Sequence, residues 1–146
     1  SLKYGFNADY LTDGNWLLRF IYTGQHSNEA LISGEQFGAG GAGSVRGFLP
    51  REISGDMGNQ VNIEAWTPPL MENLQTIFFV DWANAWNRDP LEGEQSSEEI
   101  SSAGISIKWR PLENLHIDVD WGYVLDGATD TKTNDNAFHF SVFYSL

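Results

Sequence analysis

Between Leu115 and Leu125, large apolar side chains alternate strictly with small or polar ones. The apolar positions are Leu115, Ile117, Val119, Trp121, Tyr123 and Leu125, and the polar or small positions between them include His116, Asp118, Asp120 and Gly122. A period of two places successive side chains on opposite faces of a β-strand. The segment therefore predicts a strand with one apolar face and one polar face.

Six further segments also read as strands. They lie at residues 2–10, 16–25, 60–67, 74–86, 100–110 and 137–146, joined by short connections at 11–15, 68–73 and 111–114 and by long ones at 27–57, 87–99 and 126–136. A strand of about nine to eleven residues can cross a membrane at a tilt. Outer-membrane barrels have short turns on the periplasmic side and longer loops outside. The pattern predicts an all-β chain, part of a transmembrane antiparallel β-barrel.

The composition agrees with this interpretation. Aromatic residues make up 14% of the 146 residues, although the mean hydropathy is only −0.33. In membrane barrels the apolar residues that face lipid alternate with polar residues that face the lumen, so the mean hydropathy of the chain is low. A net charge of −12 argues against nucleic acid as a partner, and the absence of cysteine excludes disulfides and thiol chemistry. A soluble β-sandwich with one polar face is the alternative on periodicity alone.

The polar positions do not predict an enzyme. Asp118 and Asp120 lie two residues apart on one strand face, as a metal-binding or acid–base pair could, but a polar lumen explains them more simply. The acidic loops lack the regular ligand spacing of a calcium site. We therefore expect no catalytic residue, no metal and no cofactor.

Seven antiparallel strands cannot form a closed barrel, because the first and the last would run parallel. Open sheet edges are not tolerated in lipid. The chain also begins at Ser1, with no initiator methionine and no visible signal peptide. We expect that it is processed or belongs to something longer.

The connection from Gly34 to Gly58 holds eight of the fifteen glycines. Residues 38–43 match G-x-G-x-x-G, the dinucleotide-binding fingerprint. That fingerprint requires a following helix, whereas the next residues are Ser-Val-Arg-Gly-Phe-Leu-Pro and no βαβ pattern occurs. A nucleotide site is therefore rejected, and a folded, working loop is favoured.

The Val45-Arg46-Gly47-Phe48 string resembles the loop motif of the two-partner-secretion transporters. These are TpsB-type proteins, the haemolysin-activator or filamentous-haemagglutinin transporters of the outer-membrane assembly superfamily. Supporting positions of the resemblance are Gly40, Gly41, Gly55 and Asp56. The resemblance implies that the motif lies at the tip of a long extracellular loop, at about 27–57, and that this loop folds back into the barrel. Residues 1–146 would then form the last seven strands of a barrel of about sixteen, without its periplasmic N-terminal modules.

A second family motif, F-x-D-x-G, is matched in part by Phe79 and Asp81, with Ala83 in the place of the glycine. In the family the loop arginine pairs with this aspartate, which implies a pair between Arg46 and Asp81. Glu64 falls where the family often has a glutamate. A planar guanidinium offers a carboxylate two directional hydrogen bonds, so such a pair could anchor a returning loop.

By resemblance, the protein is a monomeric translocation pore in the bacterial outer membrane, not an enzyme. It would secrete a large, unfolded partner exoprotein, and the loop would gate or stabilise the pore. Its partners would be that exoprotein and the lipid bilayer, with no cofactor. The alternatives are a barrel-assembly insertase of the same superfamily, a passive porin and a soluble β-sandwich that binds carbohydrate.

Overall fold

A computed structural model describes residues 2–32, 34–41, 44–69, 71–87, 97–128 and 131–146. The described chain forms strands and turns and contains no helix in these ranges. The strands are β1 (Leu2–Leu11), β2 (Leu17–His26), β3 (Phe37–Ala39), β4 (Ile53–Gly55), β5 (Met57–Trp66), β6 (Leu74–Trp86), β7 (Ser97–Leu112), β8 (Leu115–Asp126) and β9 (Asn136–Tyr144). No helix long and apolar enough to cross a membrane occurs among the described residues.

Seven of these strands form one antiparallel sheet in the order β1-β2-β5-β6-β7-β8-β9. The predicted all-β, antiparallel fold is confirmed. Each of the seven predicted segments corresponds to one strand, and β7 extends further at both ends than the predicted range of 100–110. Most of the predicted acidic connection at 87–99 lies outside the described residues.

Asparagines shape the tight connections of the sheet. Asn15 and Asn73 have φ angles of 66° and 64° between β1 and β2 and between β5 and β6, and Asn134 has a φ angle of 73° before β9. Asparagine tolerates the left-handed region better than most residues, because its short side chain can bond locally. Short connections of this kind hold neighbouring strands antiparallel.

The alternation along the strands produces two different sheet faces. On one face, the register aligns Phe20 with Ile63 and Ile63 with Val80 across three neighbouring strands. These side chains are between 37% and 50% exposed, so this face is apolar and uncovered. On the other face, the register aligns Arg19 with Glu64. That polar face is the one to which the long connection between β2 and β5 returns.

The long connection packs on the polar face through a small hydrophobic core of its own. Strands β3 and β4 pair with each other as a two-stranded sheet. The buried cluster comprises Phe37, Ala39, Val45, Phe48 and Ile53 from the connection, and Ala83, Ala85, Ile100 and Val124 from β6, β7 and β8. Three-residue strands are too short to show a period, which is why the sequence did not predict them.

Gly40 and Gly41 turn the connection after β3. Their φ angles are 128° and 96°. Side chains rarely adopt such values, and a Cβ atom on Gly41 would also lie 3.1 Å from the Cα of Pro50. In sequence, the two glycines shortly precede the segment that carries Val45 and Arg46.

We expect Phe48→Ala to release the long connection from the sheet. Phe48 is 1% exposed in the core between the two, and truncating a buried phenylalanine costs about 3–5 kcal/mol. Trypsin cleavage within the connection measures the release. Leu49→Ala is the matched control, because Leu49 is 56% exposed. Equal cleavage rates for the two variants would contradict the described packing.

Candidate functional site

Arg46 binds Asp81 through a two-pronged ion pair beneath the long connection. Its Nε lies 2.8 Å from Asp81 Oδ2, and its Nη2 donates to Asp81 Oδ1 at 2.8 Å. The backbone N–H of Arg46 donates to Asp81 Oδ2 as well, at 3.0 Å. Asp81 is fully buried, and Arg46 is only 7% exposed. The structure therefore brings together the two residues that the resemblance paired.

Two further predicted residues complete the surroundings of the guanidinium. Arg46 Nη1 lies 3.0 Å from Glu64 Oε2. The guanidinium carbon lies 3.7 Å from the centre of the Phe79 ring, within the range of a cation–π contact. These four side chains, Arg46, Glu64, Phe79 and Asp81, are called the arginine cage below.

Asn62 joins the loop to Asp81 from the neighbouring strand. Its amide Nδ2 donates to Asp81 Oδ1 at 2.8 Å and to the backbone carbonyl of Ser44 at 2.7 Å. Arg46 Nη1 also donates to Ser106 Oγ at 3.4 Å, and Ser106 in turn hydrogen-bonds Asp120. The cage is therefore one part of a polar network that spans β5, β6, β7 and β8.

The acidic groups of the network favour the charged form of Arg46 despite its burial. Burial by itself would lower the pKa of the guanidinium, but the hydrogen bond and the charge of Asp81, together with Glu64, raise that pKa on balance. Two acidic side chains, those of Glu64 and Asp81, surround one guanidinium. Removing the arginine would leave those carboxylates without their counter-charge.

The backbone beside Arg46 rests on a glycine of the sheet. A Cβ atom on Gly122 would lie 2.7 Å from the carbonyl carbon and oxygen of Arg46 and from the nitrogen of Gly47. Gly47 has a φ angle of 96°, and its N–H donates to His139 Nε2 at 3.1 Å. The loop tip is thus held from β6 and, through His139, from β9.

The other predicted loop residues have structural positions. Val45 and Phe48, the first and last residues of the motif, lie in the small core. Asp56 lies at the base of the connection, where its Oδ1 accepts hydrogen bonds from Leu31 N at 2.8 Å and from Gln36 Nε2 at 3.2 Å. A Cβ atom on Gly55 would lie 2.6 Å from the carbonyl oxygen of Trp86, so β4 approaches β6 closely there.

Sequence reasoning did not single out several residues of this network. Asn62, Ser106, Gly122 and His139 lie in predicted strands, where nothing in the sequence distinguishes them, and Asp120 is interpreted there only with Asp118, as one of two residues facing a polar lumen. Alternation identifies the face of each residue. It does not give the register between strands, and the register decides which of them meet Arg46.

The loop also contacts the connection between β8 and β9. The backbone N–H of Thr131 donates to Glu52 Oε2 at 3.0 Å, and the Thr131 hydroxyl donates to the same carboxylate. Leu49 N donates to Glu52 Oε1 at 3.0 Å. Glu52 therefore ties the loop to itself and to a second connection.

A cavity of about 450 Å³ opens beside the arginine cage. Arg46 and Glu64 line it together with charged and polar residues of β2, β5, β7 and β8, among them Arg19, Asn62, Lys108 and Asp120. Asp118 lies outside that lining, where its carboxylate is 3.8 Å from Lys108 Nζ. Within the described ranges, no group of three or more histidines, aspartates and glutamates is placed to hold a metal.

The first comparison establishes the class of fold. The chain is similar to the solved structure of CdiB from Acinetobacter baumannii, with a TM-score of 0.75, 24% identity, and coverage of 96% of this chain and 26% of that one. This similarity identifies the antiparallel sheet with part of the CdiB fold.

The family follows from sequence. The family model "Haemolysin secretion/activation protein ShlB/FhaC/HecB" matches residues 1–110, so the chain belongs to that family. The outer membrane transporter CdiB of Dickeya dadantii (strain 3937) is 32% identical over 126 residues, which are 82% of this chain. The chain covers 22% of that relative. The predicted relationship to the TpsB-type transporters is confirmed.

We expect Gly122→Ala to push the loop tip away from the sheet. The new Cβ would lie 2.7 Å from the backbone of Arg46 and Gly47, and backbone atoms cannot swing aside as a flexible side chain can. Faster trypsin cleavage within the loop measures the displacement. Gly34→Ala, in the same connection, is the control, because a Cβ atom there meets nothing within 4 Å. An unchanged cleavage rate for Gly122→Ala would show that the sheet does not support the loop here.

Proposed function

We propose that this chain is the C-terminal part of an outer-membrane barrel that secretes a large partner protein. The family is one of haemolysin secretion/activation proteins, and the relative from Dickeya dadantii is named an outer membrane transporter. The uncovered apolar face of the sheet suits contact with lipid, and the polar face suits an aqueous lumen. The remaining strands and the periplasmic modules would lie in the rest of the protein.

In this proposal the loop from residue 27 to residue 56 is a gate held inside the lumen. The single observation that carries it is the buried ion pair between Arg46 and Asp81. The pair joins the loop tip to the barrel wall, because Arg46 belongs to the loop and Asp81 to β6. A loop in this position obstructs the passage of a polypeptide, so secretion requires that the contact is rearranged.

The family match favours secretion over barrel assembly. The matching family model is one of secretion proteins, and it covers Arg46, Glu64 and Asp81. The function of a passive porin does not require a buried ion pair between a loop arginine and a strand aspartate. The unfolded cargo and the monomeric pore are further parts of the proposal.

The free-energy cost of breaking a buried ion pair is large enough to hold a gating loop in place. Losing one partner of a buried ion pair costs about 3–5 kcal/mol, because the other charge stays buried without compensation. Such a contact keeps the loop docked at rest. It can still be exchanged if an incoming chain supplies equivalent interactions.

We expect Arg46→Ala and Asp81→Ala to change secretion of the partner protein while the barrel is still made. Each variant leaves the other charge buried without its partner, so the loop no longer holds the one position from which an incoming chain displaces it, and secretion should fall at least about tenfold. The amount of partner protein in the medium measures this, normalised to the amount of transporter in the outer membrane.

Asp9→Ala provides a matched control. Asp9 pairs with Arg19 at 2.9 Å on the same polar face, but the two side chains are 49% and 33% exposed. Exposed pairs contribute about 0–1 kcal/mol. Secretion at the wild-type level by both Arg46→Ala and Asp81→Ala would exclude the gating role.

A further inference from the structure

The arginine cage has the features of a receptor for a guanidinium group. Asp81 presents both carboxylate oxygens to the fork at 2.8 Å, Glu64 faces Nη1 at 3.0 Å, and the Phe79 ring covers the flat side at 3.7 Å. Only a planar, multiply donating cation uses all of these groups together. The wall of the sheet supplies all three receptor residues, while the loop supplies the guanidinium.

A second buried group next to the cage is left without a partner. Ser102 lies directly opposite Asp81 in the register of β6 and β7, which places it on the same face. It is fully buried, and its hydroxyl makes no hydrogen bond within the described part of the chain. Buried hydroxyls nearly always have partners. The wall therefore holds more hydrogen-bonding capacity beside Asp81 than the docked loop uses.

Two residues of the cage border a cavity while the loop is docked. Arg46 and Glu64 both line the cavity of about 450 Å³, which is larger than a guanidinium group. The lining holds the carboxylates of Glu64 and Asp120 and the cationic side chains of Arg19, Arg46 and Lys108. A basic side chain that enters the cavity can approach Glu64, and it can reach the buried Asp81 only as Arg46 moves away.

We propose that Asp81, Glu64 and Phe79 form a guanidinium-binding site that exchanges Arg46 for an arginine side chain of the translocating partner. The identity of the partner rests on the proposed function, whereas the binding site rests on the cage itself. Arg46 then acts as an internal competitor. An arginine arriving in the lumen replaces the side-chain contacts of Arg46, so the loop can leave without leaving Asp81 buried and unpaired.

Chemical rescue tests the site in the full-length transporter. In Arg46→Ala the receptor residues remain and the guanidinium is missing, so added methylguanidinium should occupy the cage. We expect saturable binding by ligand-observed NMR and recovery of trypsin resistance within the loop. Methylammonium is the control ligand, since it has the same charge without the planar fork. It should bind at least about tenfold more weakly.

The double variant Arg46→Ala/Asp81→Asn identifies the binding residue. It keeps the shape of the site and removes one carboxylate charge, so methylguanidinium should neither bind nor rescue. Absence of saturable binding to Arg46→Ala would overturn the proposal. Equal binding of the two cations, or unchanged binding to the double variant, would overturn it as well.

A second measurement covers the case in which Arg46→Ala does not fold. Val45 is fully buried next to the cage, and the chain has no cysteine, so Val45→Cys reports loop release through its reaction with a maleimide. Cysteines elsewhere in the full-length protein would be changed to serine. Methylguanidinium should accelerate labelling at least about tenfold more than methylammonium at equal ionic strength. Equal acceleration by both cations would contradict the exchange.

The outcomes separate this inference from the gating proposal. Binding to the cage without any effect of Arg46→Ala on secretion would leave a guanidinium site in a protein whose loop is not a gate. Loss of secretion without binding would leave a gate that is opened by other contacts.

Discussion

A buried carboxylate on the wall of the sheet is the constraint on which the rest of the structure depends. Asp81 is fully buried, and a buried charge is stable only with a partner and a full set of hydrogen bonds. Arg46 supplies the charge and two side-chain bonds, its own backbone N–H supplies a third, and Asn62 a fourth. Three of these four donors belong to Arg46, so the hydrogen bonds of Asp81 are complete only while the loop is docked.

The loop contacts the sheet through one set of apolar residues and one set of polar groups. Val45 and Phe48, at the two ends of the motif, pack into the small core, which excludes water and fixes the direction of the chain. Arg46 and Gly47 lie between them and make the polar contacts. Apolar packing adds to the stability of the docked loop, and the ion pair fixes its position, because a bidentate pair is directional.

Much of the fold could be predicted because a period of two is a direct consequence of strand geometry. Segments such as 115–125 alternate over enough residues to show it, and the pairing of neighbouring strands follows from short connections. The residues of the cage came instead from resemblance, since neither spacing nor composition connects Arg46 with Asp81. Gly122 and His139 could not be predicted, because their contacts with the loop depend on the strand register and on the position to which the loop returns. Strands β3 and β4 were missed because three residues carry no period.

The contact between Glu52 and Thr131 joins segments that are 79 residues apart in sequence. It lies in the connections of the sheet, away from the cage, and depends on the loop being docked. The two segments together form a composite surface that neither has alone. An antibody fragment that recognises this junction would distinguish the docked from the released loop on intact membranes. It would report whether Arg46 is in place without contacting Arg46 itself.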